Sequence, residues 1–336
     1  MKYRPFGKTG IKVSALGFGC MRLPLNSEDS GDINEAEATR MIRHAIDMGV
    51  NYIDTAWGYH REQSEPLVGR VLRDGYREKV YLATKLPSWL IHVAEDMDKH
   101  LNEQLWRLQT DHIDFYLLHS LNKDYWENYL KLNVFDWAEK KLSEGKIRHL
   151  GFSFHDDYAV FEKILNGYDH WDFCQIQYNY LDVEAQAGKR GLKAAAEKGL
   201  GVVIMEPLRG GNLAKIPAPR RVGEAFAKSP HAWTPANWSL QWIWNQPEVS
   251  LLLSGMSTME QVEQNLTSAD QSGVGLFMDA EHQVIEEVQQ AYKGLAPVPC
   301  THCEYCLPCP NGVFIPDIFK IYNESKMFDQ MERGKR

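Results

Sequence analysis

The chain has 336 residues, of which 44% are hydrophobic, and a formal net charge of −8. This length is enough for one large α/β domain with an appendage, or for two domains. The mild acidity argues against a nucleic-acid partner, no apolar run is long enough to cross a bilayer, and the N-terminus lacks the apolar core of a signal peptide. We therefore expect a soluble, cytoplasmic protein that binds neither nucleic acid nor a membrane.

The predicted elements begin with a short hairpin between Tyr3 and Leu16 and then alternate in type. A first strand starts at Leu16, the next three end at Asp54, Lys85 and His119, and helices separate them. The later predicted strands are 147–154, 173–178, 202–205 and 249–254. The predicted helices are 34–48, 64–72, 96–108, 134–143, 158–165, 192–198, 235–245, 259–266 and 279–292.

This alternation predicts the fold class. Strict strand–helix alternation implies a parallel sheet, and eight units in about 250 residues match the size of a (β/α)₈ barrel. A doubly wound sheet would need a glycine-rich fingerprint after its first strand, which Leu16-Gly17-Phe18-Gly19 matches poorly. We predict an α/β protein, a TIM barrel with an N-terminal hairpin in residues 1–292, and a small cysteine-rich extension in residues 293–336.

Ionisable residues stand at the ends of three successive predicted strands. Asp54, Lys85 and His119 close these strands, and Tyr59 follows five residues after Asp54. In a parallel barrel these strand ends meet on one face, where such enzymes keep their chemistry. A lone lysine or histidine at a strand end is more often structural, so the prediction of a site depends on their joint placement.

These four side chains suit the protonation of a carbonyl oxygen. A phenol has a pKa of about 10, and an ammonium group nearby lowers that value. We expect Lys85, held by Asp54, to act on Tyr59 in this way, and His119 to bond a substrate oxygen or relay a proton. Hydride for the carbonyl carbon must come from a cofactor, because no side chain can supply it.

Several short motifs together resemble the aldo-keto reductase family. They occur in family order over roughly residues 1–290: Phe6-Gly7-Lys8-Thr9-Gly10, Leu16 to Met21, Asp54-Thr55-Ala56-x-x-Tyr59, Ala83-Thr84-Lys85, Leu117-Leu118-His119, Gly145-Lys146-Ile147-Arg148 and Gln261 to Asn265. The resemblance implies a (β/α)₈ barrel that reduces an aldehyde or ketone to an alcohol with NAD(P)H. It assigns Asp54, Tyr59, Lys85 and His119 as the catalytic tetrad, with Tyr59 as general acid.

The resemblance also implies a set of cofactor-binding residues. The set is Gly19, Cys20, Met21, Asp54, Ser153, Gln175, Met205, Pro207, Leu208, Arg209, Gly211, Ser254, Gly255, Ser257, Gln261 and Asn265. Phe154 stands where the family usually has Asn, and Met205 where a Tyr often stacks on the nicotinamide. Because no Lys or Arg stands near Ser257 to bind a 2′-phosphate, both NADP(H) and NAD(H) remain candidate cofactors.

Four cysteines lie within ten residues near the C-terminus. Cys300, Cys303, Cys306 and Cys309 are followed by Pro310, which resembles a ferredoxin cluster motif, although the last gap is two residues instead of three. We expect a single 4Fe-4S cluster, and a four-thiolate zinc site is the alternative. A cluster would allow a protein partner for electron transfer. The alternative function is then a nucleotide-binding redox sensor or electron-transfer module with little carbonyl turnover.

Other segments give weaker predictions. We expect residues 87–93, 122–128 and 216–232 to be loops that shape the substrate pocket, although they do not identify the substrate. From Glu324 onward the sequence is polar and predicts a loosely ordered end.

Overall fold

The structure is a computed structural model of the chain, and it describes residues 1–229, 231–300 and 306–330. Ten strands are present in this part of the chain. They are β1 (Tyr3–Pro5), β2 (Lys12–Ser14), β3 (Leu16–Gly19), β4 (Tyr52–Asp54), β5 (Tyr81–Leu86), β6 (Ile113–Leu121), β7 (Ile147–Phe154), β8 (Phe173–Gln177), β9 (Gly201–Met205) and β10 (Leu251–Gly255).

Strands β3 to β10 form a closed parallel barrel. Each strand pairs with the next along the chain, and β10 closes the barrel against β3 through Leu252 to Leu16 and Gly255 to Gly19. The predicted barrel is confirmed. Since parallel strands all end on one face, the C-terminal residues of all eight strands are brought together there.

The antiparallel hairpin β1–β2 carries an aromatic side chain into the barrel core. Phe6 is fully buried, and its ring centroid lies 4.6 Å from that of Phe115 and 5.5 Å from that of Phe173. Gly7, at φ +52°, comes so close to β9 that an added Cβ would lie 2.3 Å from the nitrogen of Gly201. The hairpin therefore belongs to the barrel core, at the end opposite the strand tips that carry Asp54 and Lys85.

Twelve α-helices lie in the described ranges. They are α1 (Glu35–Asp47), α2 (Ser64–Val71), α3 (Ala94–Leu108), α4 (Lys123–Lys131), α5 (Val134–Ser143), α6 (Tyr158–Asn166), α7 (Gly188–Glu197), α8 (Arg220–Phe226), α9 (Pro235–Trp244), α10 (Met259–Asp270), α11 (Asp279–Lys293) and α12 (Ile315–Met327). Every predicted helix is present.

Two segments that we expected to be loops are helical. Residues 123–131 form α4, because the Asn122 side chain caps the helix by accepting from the Tyr125 N–H at 2.8 Å and because Trp126 and Tyr129 are buried on one face. Residues 220–226 form α8 within the second of these segments. Residues 325–327, which we expected to be loosely ordered, are helical, since α12 continues to Met327 and Ser325 is buried.

The described chain divides into two compact units. The first consists of Met1–Pro207 and Leu240–Gly275, and it contains the whole barrel. The second consists of Leu208–Ser239 and Leu276–Arg336. The domain boundary at residues 292/293 stays a prediction. Within the described ranges, no helix is both long and apolar enough to cross a membrane.

Candidate active site

Lys85 and Asp54 form a buried ion pair at the C-terminal ends of β5 and β4. Nζ of Lys85 donates to both carboxylate oxygens of Asp54, at 2.7 and 2.8 Å, and to the carbonyl of Thr55 at 2.8 Å. Burial alone would lower the pKa of Lys85, but Asp54 and Tyr59 outweigh it and raise that pKa above its ordinary value. Lys85 is therefore a charged ammonium group at neutral pH.

The phenol of Tyr59 lies against this ammonium group. Nζ of Lys85 is 3.4 Å from the Tyr59 oxygen and 4.9 Å from the ring centroid. Burial raises the pKa of Tyr59, and Lys85 opposes this only in part. Lys85 thus acts on this pKa in the predicted direction, but the opposite effect of burial is larger, so the pKa stays above its ordinary value. At neutral pH the phenol keeps the proton that it would donate.

His119 lies on the same face of the barrel, near the end of β6. Its ring centroid lies 6.3 Å from that of Tyr59 and 5.1 Å from that of Trp89. Burial, with a further contribution from Lys85, holds the pKa of His119 well below its usual value, so the imidazole is neutral. Its Nδ1 is buried and has no hydrogen-bond partner within the described chain. The structure thus brings all four predicted catalytic residues together.

Behind Lys85 lies a buried polar network that the sequence analysis missed. The Gln104 amide donates to the Lys85 carbonyl at 2.9 Å and to Glu65 at 2.7 Å, and it accepts from the Tyr116 hydroxyl at 2.6 Å. Thr84 also donates to Glu65, at 2.6 Å. No local pattern indicates these contacts, because the residues come from separate strands and helices.

Most of the predicted cofactor residues stand at strand ends around the same face. Gly19, Cys20 and Met21 end β3 or follow it, Ser153 is in β7, Gln175 in β8 and Met205 at the end of β9. The Oε1 atom of Gln175 is buried and has no partner in the part of the chain that is described. An unsatisfied amide oxygen is costly unless a ligand donates to it, and the carboxamide of a nicotinamide is such a donor. These residues therefore fit a nicotinamide cofactor.

Five more predicted cofactor residues of the barrel unit lie in β10, in α10 or between them: Ser254, Gly255, Ser257, Gln261 and Asn265. Asn265 donates to the Ser254 hydroxyl at 3.0 Å, and the Ser257 N–H donates to the Gln261 side chain at 2.8 Å. In this structure the Gln261 side chain thus binds the main chain just before its own helix, whose N-cap is Thr258. Its adenine contact, like that of Asn265, stays a prediction.

Arg22 is a cation near this helix start that the sequence analysis missed. Its carbonyl accepts from the Ser257 hydroxyl at 2.8 Å, and its side-chain stem lies 3.1 Å from where a Cβ on Gly255 would be. No basic residue is close to Ser257 in the sequence, whereas the barrel brings Arg22 to it from just after β3. A prediction that β3 pairs with β10 would have indicated Arg22.

The predicted pyrophosphate loop continues from Pro207, in the first unit, to Leu208, Arg209 and Gly211, in the second. Gly211 has φ +92°, which only glycine adopts readily. Within the second unit, Arg209 donates to Glu324 of α12 at 2.8 Å and lies 4.9 Å from the Phe328 ring centroid. Arg209 thus pairs with a carboxylate here, and its contact with a phosphate stays a prediction.

The structure describes three of the four clustered cysteines. Cys300 and Cys306 are exposed and Cys309 is half-buried, and Cys303 lies outside the described residues. Among the residues described, no three His, Cys, Asp or Glu side chains are grouped as metal ligands. Cys20 and Cys174 are buried in the barrel unit.

Comparison with known proteins agrees with the barrel fold. The model of the aldo/keto reductase family matches residues 15–287, a range that includes all eight barrel strands and the four catalytic candidates. The chain belongs to the aldo/keto reductase family. This match confirms, for the barrel, the resemblance noted from the motifs. The family consists of oxidoreductases.

Individual members of the family match over most of their length. The NADH-specific methylglyoxal reductase of Escherichia coli (strain K12) is 26% identical over 332 residues, with 87% of this chain and 99% of that protein covered. The holo structure of an aldo-keto reductase from Bacillus halodurans has a TM-score of 0.71 at 26% identity, covering 86% of this chain and 96% of that one. An aldo-keto reductase from Klebsiella pneumoniae in complex with NADPH has a TM-score of 0.68 at 26% identity, covering 86% and 95%.

Proposed function

We propose that this aldo/keto reductase reduces an aldehyde or ketone to an alcohol with a nicotinamide cofactor, and that Tyr59 is the general acid. The observation that carries the proposal is the placement of Lys85, whose ammonium group contacts both the Asp54 carboxylate and the Tyr59 oxygen. A cation at this place stabilises the phenolate that forms when Tyr59 gives up its proton.

In the proposed reaction each side chain has one task. Reduced nicotinamide, when bound, supplies the hydride that adds to the carbonyl carbon. Tyr59 donates its proton to the carbonyl oxygen, so the products are the alcohol, the phenolate and the oxidised nucleotide. Lys85 stabilises the phenolate, Asp54 fixes Lys85, and neutral His119 hydrogen-bonds the substrate oxygen. Solvent then returns a proton to Tyr59.

For the cofactor we propose NADH or NADPH, held at the strand ends. The unsatisfied Oε1 of buried Gln175, with Ser153 on the neighbouring strand, supports binding of the nicotinamide carboxamide. The Escherichia coli relative is named as NADH-specific, and the Klebsiella pneumoniae neighbour is in complex with NADPH. Titration of the protein with each nucleotide, followed by fluorescence, decides between them.

The test of this function is the variant Tyr59→Phe, which removes the acidic proton and keeps the ring. We expect carbonyl reduction to fall by about 10²-fold or more, the scale of general acid catalysis, while the nucleotide still binds. Tyr3→Phe, which alters an exposed tyrosine of the hairpin, is the matched control. Full activity in Tyr59→Phe would contradict the proposal, and nucleotide binding without turnover in the wild type would favour the redox-sensor alternative.

We also propose that Cys300, Cys303, Cys306 and Cys309 hold a 4Fe-4S cluster that exchanges electrons with a protein partner. The support is chemical: four thiolates separated by two-residue gaps match the ligands of such a cluster. Metal and sulfide analysis of protein purified without oxygen should give about four irons and four sulfides per chain. The variant Cys306→Ser should lower both, whereas Cys174→Ser should not. About one zinc without sulfide would establish the zinc alternative instead.

A further inference from the structure

The three residues after Tyr59 have an unusual backbone. His60, Arg61 and Glu62 have φ of 52°, 50° and 68°, the left-handed region that residues other than glycine seldom adopt. Three such residues in succession store strain, and strained backbone persists only where the surrounding structure holds it in place. We call residues 60–62 the left-handed turn. None of its side chains has a role in the reaction proposed above.

His60 is held through both ring nitrogens. Its Nε2 accepts from the Leu23 N–H at 3.1 Å, and its Nδ1 lies 2.7 Å from the carbonyl of Ser30. Because Nε2 accepts, the ring proton is on Nδ1 and is donated to Ser30. The side chain is 8% exposed. His60 thus connects the left-handed turn to the loop that follows β3, which begins with the predicted cofactor residues Cys20 and Met21.

The other two residues of the turn are held by ion pairs. Arg61 donates to Asp29, also in the loop after β3, at 3.0 Å. Glu62 accepts from Arg107 of α3 at 2.7 Å, and the Arg107 guanidinium lies 3.7 Å above the ring of Trp57. Each residue of the left-handed turn therefore has its own anchor, and of the three only His60 is a buried residue.

The main chain of Tyr59 is hydrogen-bonded on both sides. The Tyr59 N–H donates to the Ala56 carbonyl at 3.2 Å, and the Tyr59 carbonyl accepts from the Ser64 N–H at 3.3 Å, so the second of these bonds spans the left-handed turn. We propose that His60 is a positioning residue, whose imidazole locks the left-handed turn and thereby holds the Tyr59 phenol beside Lys85. The predicted effect of His60 on the rate of carbonyl reduction rests on the proposed function, whereas its predicted effect on the position of Tyr59 does not.

The first test compares three replacements of His60 in the full-length protein. His60→Gly adopts positive φ without strain but has no anchor, and His60→Ala loses the anchor and keeps the strain. We expect kcat to fall by about tenfold or more in both, since small displacements of a reacting group are costly, and nucleotide affinity to fall by much less. His60→Gln, whose amide oxygen can accept from Leu23, should recover part of the rate. A glycine variant with wild-type kcat would overturn the proposal, as would an equal loss of nucleotide affinity.

The second test needs no turnover. In protein labelled with 3-fluorotyrosine, the ¹⁹F resonance of Tyr59 is assigned by its loss in Tyr59→Phe. We expect it to shift or broaden in His60→Gly. Asp74→Ala is the control and should leave the Tyr59 resonance in place. Asp74 is also a left-handed, ion-paired residue, with φ 60° and a 2.8 Å bond to Arg43. If His60→Gly also leaves the resonance unchanged, the positioning role is wrong. If the wild type reduces no carbonyl but the resonance shifts, the proposed function fails and the positioning role stands.

Discussion

At the scale of single residues, Lys85 shows how one buried charge constrains its neighbours. The side chain is 0% exposed, and the Asp54 side chain that it contacts is 3% exposed. Removing ions from water is costly, and the cost is offset only while both partners are present. The pair therefore ties the ends of β4 and β5 together, and it also fixes the charge next to Tyr59.

Replacing Asp54 by Asn should reveal this dependence. The variant leaves the Lys85 ammonium buried without a carboxylate, and we expect a loss of about 3–5 kcal/mol in the free energy of unfolding. The double variant Asp54→Asn, Lys85→Met should recover part of this loss, because it removes the uncompensated charge. Urea unfolding of the two variants and the wild type measures both effects. A double variant less stable than Asp54→Asn would contradict this account.

At the same scale, the sequence predicts the tetrad but not its environment. Asp54, Lys85 and His119 were found because a strand end is recognisable from local pattern, and a parallel barrel brings such ends together. The pKa of Tyr59 and the contact of Gln104 with Lys85 depend on burial and on residues far apart in the chain. Arg22 was missed for the same reason, since only the β3–β10 pairing brings it to Ser257.

At the scale of elements, the N-terminal hairpin is stabilised by the side chain that it places in the barrel. Phe6 is 0% exposed and is surrounded by Tyr52, Phe115 and Phe173. We expect Phe6→Ala to cost about 3–5 kcal/mol, because it leaves a cavity in a close-packed core. Trp106→Ala, which removes an aromatic ring that is 76% exposed, should cost under about 1 kcal/mol. Similar losses in the two variants, measured by urea unfolding, would contradict the role of Phe6.

Helix α12 is held within the second unit by polar contacts on consecutive residues. Asn323 exchanges two hydrogen bonds with the main chain of Val298, at 2.9 and 2.7 Å, and Glu324 pairs with Arg209 at 2.8 Å. We expect Asn323→Ala to increase hydrogen exchange in α12, because each lost bond contributes about 1 kcal/mol. Lys320→Ala, on the same helix, is the control. Unchanged protection of α12 in Asn323→Ala would show that other contacts hold the helix.

The elements also show what local pattern can predict. Helix α5 and strand β7 have the predicted bounds, because apolar spacing and a following glycine, Gly145, mark them clearly. Helix α4 was missed although Tyr125, Trp126, Tyr129 and Leu130 have helical spacing, because the segment and its Asn122 cap were interpreted as a loop that shapes the substrate pocket. The helical end of α12 was missed because its stability comes from contacts with residues far away in the sequence.

At the scale of the whole molecule, the buried neutral His119 links stability to pH. Its pKa is held well below the usual value by burial and Lys85, so between that pKa and about 6.5 the unfolded chain binds a proton that the folded chain does not. The neutral His119 therefore makes the free energy of unfolding smaller as the pH falls below about 6.5.

The variant His119→Gln separates this effect from other titrating groups. The glutamine does not titrate, so the difference in unfolding free energy between wild type and variant contains only the His119 contribution to the pH dependence. We expect this difference to shift against the wild type as the pH falls from about 7.5 to about 5.5. Urea unfolding at each pH measures it. A difference that is constant over this range would mean that His119 has the same proton affinity in the folded and the unfolded chain. That result would also remove the basis for treating His119 as a neutral hydrogen-bonding partner of the substrate.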